Sequence, residues 1–433
     1  MASTIKVDKL FSESPSGATE NILLNDDGTT NLKGNTTVTG TCTATTFSGS
    51  GASLTNVPDS ALSAVTASKL TGALPAISGA SLTGITSSDT LNNRNILING
   101  AMRIRQRDDV ANAGNEYGGP DRWFFWKNDG AFSIAQVDQV PDGQGFKNSY
   151  HIDCTSVSGT AGANYVGILQ KLEGKDVIRL KYGSSNAESL TLSFWIRSTK
   201  TGTYIATLEN KDQTKHISKS YTVSASNTWE KKTITFPGDT ASGAQFDNDT
   251  GESLKLILWV FAGSSYTSGT LATSWASVVD ANSAVGQVNA GDNTSNDIYF
   301  TGVQLEPGTT ATEFEHRLYG EELARCQRYY EVLCDGVTQG LATCTCWGTS
   351  ETYSPIVYQV EKRTTPSFEV SATDDFGIMS NTAFNTATAI GQTDTNVRGT
   401  RLYLGVSSAP FVNGHSGWIK TTSDCKFAAN SEL

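Results

Sequence analysis

From residue 41 to residue 92 the chain carries only three charged side chains, Asp59, Lys69 and Asp89, and one aromatic, Phe47. The remainder is Ser, Thr, Gly and Ala with isolated Leu, Val or Ile. A stretch this poor in large apolar residues cannot bury a core of its own. It also repeats: Gly51-Ala52-Ser53-Leu54-Thr55 returns as Gly79-Ala80-Ser81-Leu82-Thr83, with Lys69-Leu70-Thr71-Gly72-Ala73-Leu74-Pro75 between them. Composition alone reads as a Ser/Gly linker. The recurring leucine points instead to a thin stalk, because repeats that cannot close their own apolar faces are stabilised by stacking on copies. Residues 41–94 are therefore expected to form a stalk shared by several chains.

The 433 residues hold 32 Lys and Arg against 43 Asp and Glu, a net charge of −11. An acidic chain has no positive field with which to release counterions from phosphate, so nucleic acid is not an expected partner. The longest apolar run, Leu254 to Ala262, contains Lys255 and is far shorter than the roughly 18 residues a membrane span needs. The start, MASTIKVDKLF, has no apolar h-region, so it does not read as a secretory signal. Seven cysteines, Cys42, Cys154, Cys326, Cys334, Cys344, Cys346 and Cys425, are odd in number and irregularly spaced. They read as reduced, buried thiols rather than as a zinc site, which calls for paired ligands at short spacing.

Elsewhere the pattern is one of strands. Residues 1–40 read as short strands joined by turns, with Ile22-Leu23-Leu24 followed by the turn signal Asn25-Asp26-Asp27-Gly28. Residues 95–320 hold six of the eight tryptophans and several alternating runs. Among these are Ser189 to Arg197, Thr203 to Leu208, Lys231 to Phe236 and Asp297 to Leu305. Short strands separated by Gly, Pro, Asn and Asp predict an antiparallel β-sandwich. One helix is expected, Tyr319 to Glu331, with acidic residues early and basic residues late. Thr352 to Val360, Ser367 to Val370 and Arg401 to Val406 alternate again, predicting a smaller β domain at the end.

Several segments together resemble the tail fibres of tailed bacteriophages of the marine and cyanophage type. They are Met1 to Asp8, Asn95 to Met102, Pro120-Asp121-Arg122-Trp123-Phe124, Thr228 to Lys231, Gly302 to Gly308, Ala311 to Glu315 and Arg325 to Tyr330. The resemblance is strongest over 95–331. It implies an all-β homotrimeric fibre with a thin stalk, a jelly-roll-like β-sandwich and a distal β-sandwich domain, with one short helix between. The expected division is 1–40 for docking on a tail or baseplate protein, 41–94 for the stalk, 95–320 for a carbohydrate-binding-like central sandwich, and 321–433 for the helix and tip. The implied function is attachment of a virion, through its tail, to a host-surface glycan or protein by multivalent contacts. A structural virion protein such as an adaptor or head fibre, and a surface-polysaccharide depolymerase, are the alternatives.

Glycan binding requires aromatic rings on loops, for the C–H face of a sugar, with polar neighbours for its hydroxyls. Tyr266, Trp275, Trp347, Phe411, His415 and Trp418 fit that description, whereas Trp195 and Trp259 lie within strands and read as core. Arg103, Arg105 and Arg107 alternate as on one strand face, either to grip an acidic glycan or to pair with carboxylates. No catalytic residues are assigned. The acidic clusters Asp374-Asp375 and Asp247-Asn248-Asp249 sit in turn-like contexts, and the four histidines are scattered. No cofactor is expected; a structural calcium at Asp292 to Asp297 is a minor alternative to a plain Asx-rich turn.

Overall fold

The computed structural model describes residues 9–11, 20–24, 29–32, 37, 39–41, 43, 93–157, 159, 162–336, 340–380, 383–422 and 425–433. The stalk expected over 41–94 lies almost wholly outside the described residues. The chain divides into two compact units, residues 1–85 and 86–433. In the first, Lys9–Phe11, Glu20–Leu24 and Thr30–Leu32 form an antiparallel three-stranded sheet. Leu24 pairs with Thr30 across the expected turn.

The second unit opens with a β-sandwich. Its seven-stranded sheet runs, in spatial order, Ala276–Ser277, Lys215–Val223, Gly202–Asn210, Glu252–Ala262, Tyr165–Glu173, Phe124–Lys127 and Glu116–Tyr117. Its five-stranded sheet runs Glu230–Phe236, Leu190–Ser198, Asp297–Pro307, Ser149–Ser156 and Ala131–Val137. All described pairings are antiparallel. Strand alternation sends Leu254, Leu256 and Leu258 from one sheet, and Leu192, Phe194 and Ile196 from the other, into one shared core.

The helix is Tyr319–Gln327, shorter than the expected Tyr319 to Glu331. It stops because Tyr330 begins the strand Tyr330–Gly336, pairing with Asn430 of Cys425–Asn430. A second, smaller sandwich follows. Its three-stranded sheet is Tyr330–Gly336, Cys425–Asn430 and Ser367–Val370. The facing sheet has seven strands, in the order Ala383–Thr386, Phe376–Ser380, Ser416–Thr421, Gly340–Cys346, Glu351–Val357, Gly399–Gly405 and Ala389–Thr393. Cys344, Cys346, Ile378, Leu402, Leu404, Ile419 and Phe427 fill its core. The cysteines thus serve as small apolar residues, and the six described are all buried thiols.

Arg103, Arg105 and Arg107 do not lie on a strand, contrary to their alternation. The Asn99 side chain bonds both the amide and the carbonyl of Ile104, at 2.9 and 2.8 Å, and Met102 takes a positive φ of 55°. That clasp folds the segment into a loop. Arg105 pairs with Asp109 at 2.6 Å and Arg107 with Glu432 at 3.2 Å, so two of the three arginines face carboxylates.

Candidate functional site

The outer face of the smaller sandwich's seven-stranded sheet follows from the same alternation that fills its core. With Cys344, Cys346, Leu402 and Ile419 turned inward, their strand neighbours must turn to solvent. Cross-strand register aligns those neighbours. Met379 faces Trp418, and Trp418 faces Thr343. Thr345 faces Tyr353, and Tyr353 faces Tyr403. Trp347, just past the end of Gly340–Cys346, is 68% exposed and stands edge-on to Tyr353, with ring centres 6.4 Å apart. Tyr353 lies 5.4 Å from Tyr403, and the Arg401 guanidinium sits 4.9 Å over Tyr353. Trp418 is 61% exposed. The exposed, small Thr343 and Thr345 are therefore flanked by Trp418 on one side and by Tyr353 and Trp347 on the other.

Such a face combines flat apolar surfaces with short hydroxyl side chains. A sugar ring presents the complement, an apolar C–H face and a polar edge, and aromatic stacking with a few placed polar groups is how such ligands are held. The loop that borders the face is pinned by backbone bonds. Phe411 N donates to Thr349 O at 3.0 Å, Gly414 N to Cys346 O at 2.9 Å, and Cys346 N to His415 O at 2.8 Å. His415 is thereby placed, exposed, beside the strand end that carries Trp347. Phe411, expected from sequence on an exposed loop, is instead 4% exposed, because its ring drops into the core of the smaller sandwich under that loop.

Tyr266 and Trp275 lie elsewhere. Tyr266 is half-buried on the outer face of the central seven-stranded sheet, in a cluster with Trp126, Tyr165 and the buried Trp259. Trp126 and Tyr165 stack there with ring centres 3.9 Å apart. Trp275 is half-buried too. Its indole N–H donates to Pro237 O at 2.7 Å, and its ring meets Tyr182 edge-on at 5.6 Å. The structure brings together Trp347, His415 and Trp418, and leaves Tyr266 and Trp275 apart. Sequence reasoning missed Tyr353, Tyr403, Trp126 and Tyr165. The first two carried a usable signal, since each alternates with residues destined for the core. Trp195, read as core, is only half-buried, on the outward side of its strand.

The outer face of the five-stranded sheet carries a different arrangement. His151 stacks on Tyr299 at 4.3 Å, Arg197 lies 4.0 Å over the same ring, and Trp229 meets Tyr299 edge-on at 6.2 Å. His151 Nε2 is 2.7 Å from Asp297 Oδ1. Asp153, directly opposite Asp297, has its carboxyl held above the ordinary range by burial and by the Asp297 charge. At the calcium candidate, Lys200 Nζ takes one Asp292 oxygen at 2.5 Å and Asn296 Nδ2 the other at 2.8 Å. Partial burial acts to raise the Asp292 carboxyl, but these donors outweigh it and hold it low. Both oxygens are thus occupied by the chain's own donors. Among the described residues no three His, Cys, Asp or Glu side chains gather as a metal site.

No family model matches the chain, and no curated protein matches it. Solved structures are similar over about half of it. One is the enzymatically active domain of tailspike protein 4 from bacteriophage CBA120. It is 15% identical at a TM-score of 0.26, over 46% of this chain and 21% of that one. Another is a xylan-binding domain from Paenibacillus barcinonensis, 17% identical at a TM-score of 0.25, over 46% of this chain and 97% of that one. A third is a family 11 carbohydrate-binding module of a Clostridium thermocellum cellulosomal cellulase, 14% identical at a TM-score of 0.25, over 47% and 98%. The chain spans about a fifth of the tailspike's length. At these scores the likenesses carry no inference about activity, and the sandwich rests on its own sheets and core.

Proposed function

We propose that this chain is an adhesion component of a phage tail fibre, and that the outer face of its tip sheet binds carbohydrate on a host cell surface. The observation that carries the reading is the pair of exposed tryptophans: Trp418, set opposite Thr343 by strand register, and Trp347, edge-on to the Tyr353 that faces Thr345. Exposed aromatic surface of this kind is costly to keep in water and marks binding faces. The reading includes a homotrimer docked on the tail through its N-terminal part, with weak sites made strong by multivalency. It also includes adhesion without cleavage of the glycan.

Three measurements test it. Light scattering of the full chain is expected to give the mass of three chains of 46.1 kDa each; a monomer contradicts the fibre. Trp347→Ala and Trp418→Ala are each expected to weaken glycan binding by roughly fivefold to tenfold, the value of one stacked ring. New reducing ends on a bound polysaccharide would replace adhesion with depolymerisation.

A further inference from the structure

We infer that the central sandwich holds a second binding site, distinct from the tip face, for an acidic sugar residue. Although the chain carries a net charge of −11, one hollow of about 280 Å³ has an excess of positive charge. It is lined by Arg103, Lys147 and Arg317, with Glu322 as the acidic residue among them. Three separate segments deliver these groups. Arg103 comes from the loop clasped by Asn99, Lys147 from the approach to Ser149–Ser156, and Arg317 from the segment before the helix.

The cations differ in how they are held. Arg317 is 4% exposed and spends its Nη donors on Glu315, Glu322 and the carbonyls of Asn95 and Leu97. Its buried Nε has no partner among the described residues. The Arg103 guanidinium lies 5.1 Å over the Tyr319 ring. Lys147 forms no ion pair or side-chain hydrogen bond with any described residue. A solvated lysine or arginine alone would mean nothing. Here two cations with no carboxylate partner among the described residues converge on one hollow.

The wall between them is aromatic and built. Phe146, Phe314 and His316 meet one another edge-on or tilted at 5.0, 5.2 and 4.9 Å. Phe146 is seated on Gly302, where a Cβ would come within 2.5 Å of its ring and where φ is +61°. A ligand that uses both the rings and the cations has an apolar face and a negative charge on one small body. A carboxylated pyranose, a uronic acid residue, has that chemistry. A neutral sugar would leave the cations unused, and a bare anion would leave the rings unused.

The test is calorimetric titration of the full chain with methyl glucuronide, methyl glucoside and acetate in parallel. Glucuronide is expected to bind at least about tenfold more tightly than either control, and to weaken as salt is raised. Lys147→Met and Arg103→Met, both at exposed side chains, are each expected to weaken it by at least about fivefold. Phe314→Leu, which keeps an apolar side chain but removes the ring, should weaken it as well. Equal binding of the glucoside, no binding of glucuronide at millimolar concentration, or indifference to both cation variants overturns the inference. The double variant Trp347→Ala/Trp418→Ala separates the two sites. Unchanged glucuronide binding in it places the site away from the tip, and loss of binding contradicts that placement. Failure of glycan binding at the tip would leave this titration unaffected.

Discussion

The guanidinium of Arg122 lies 3.4 Å from the centre of the Tyr329 ring while its Nη1 pairs with Glu432. Arg122 belongs to the larger sandwich; Tyr329 and Glu432 flank strands of the smaller one. The junction is built from buried and half-buried charges: Arg107 lies 3.5 Å over Tyr330, and Arg328 grips the buried Glu173 with two bonds of 2.7 Å. Burial acts to lower the Arg122 pKa, but Glu432 and, after it, Tyr329 and Tyr117 together outweigh it and hold the side chain charged. Pairs of this kind cost much of what they return, and their value lies in fixing one geometry.

Removing one partner should therefore be expensive. Glu432→Gln leaves Arg122, 1% exposed, without its counter-charge, and is expected to cost about 3 kcal/mol. By contrast Glu361→Gln, which breaks the exposed Arg398–Glu361 pair, should change stability by less than about 0.5 kcal/mol. Urea unfolding midpoints of the two variants check both values.

On the five-stranded sheet Asp153 faces Asp297 directly, and like charges in that position destabilise. The Asp153 carboxyl is raised by burial first and by Asp297 second. A raised folded-state pKa means that protonation favours the fold. Stability is therefore lost as pH rises from the unfolded carboxylate value, about 3.9, through the folded one. Asp153→Asn removes that loss. It should stabilise the protein at pH 7 by a few tenths of a kcal/mol, with the gain vanishing below about pH 3.9. Thermal unfolding at the two pH values checks the sign.

Burial pushes the Cys154 and Cys344 thiols up to about 11 and the Cys334 thiol up to about 12. Thiolate is the reactive form. Iodoacetamide at neutral pH should leave Cys154, Cys326, Cys334, Cys344, Cys346 and Cys425 unlabelled in the native protein and label all six after denaturation. Peptide mass spectrometry reads the result.

Gly302 combines a φ of +61° with a Phe146 ring that a Cβ would meet at 2.5 Å. Gly302→Ala is expected to cost about 2 kcal/mol, from strain and displaced packing together. If Phe146 forms the wall of the acidic-sugar hollow, the variant also weakens glucuronide binding, and parallel unfolding and titration measurements separate the two effects.

The strands of both sandwiches were legible because alternation is a direct consequence of one buried face, as at Leu190–Ser198 and Gly399–Gly405. The helix was legible in its charge order, but its end was not, because the pairing of Tyr330 with Asn430 is a contact across a hundred residues. Arg103, Arg105 and Arg107 misled for a similar reason: the clasp that bends them into a loop comes from the Asn99 side chain. Phe411 looked like loop chemistry, yet its backbone bond to Thr349 turns the ring inward. Of the candidate site, Trp347 and Trp418 could be named from sequence, but the pairings of Trp418 with Thr343 and of Tyr353 with Thr345 exist only in the sheet register. The burial of Arg122 left no trace in its neighbours.

The most direct test of the central claim is a glycan array of bacterial surface polysaccharides, probed with the full chain and with Trp347→Ala/Trp418→Ala. The account predicts binding to a defined subset of neutral polysaccharides, with the double variant losing most of that signal while keeping the wild-type unfolding midpoint. Binding of neutral polysaccharides that survives the double substitution unchanged, or no binding to any polysaccharide by the wild-type chain, would contradict it.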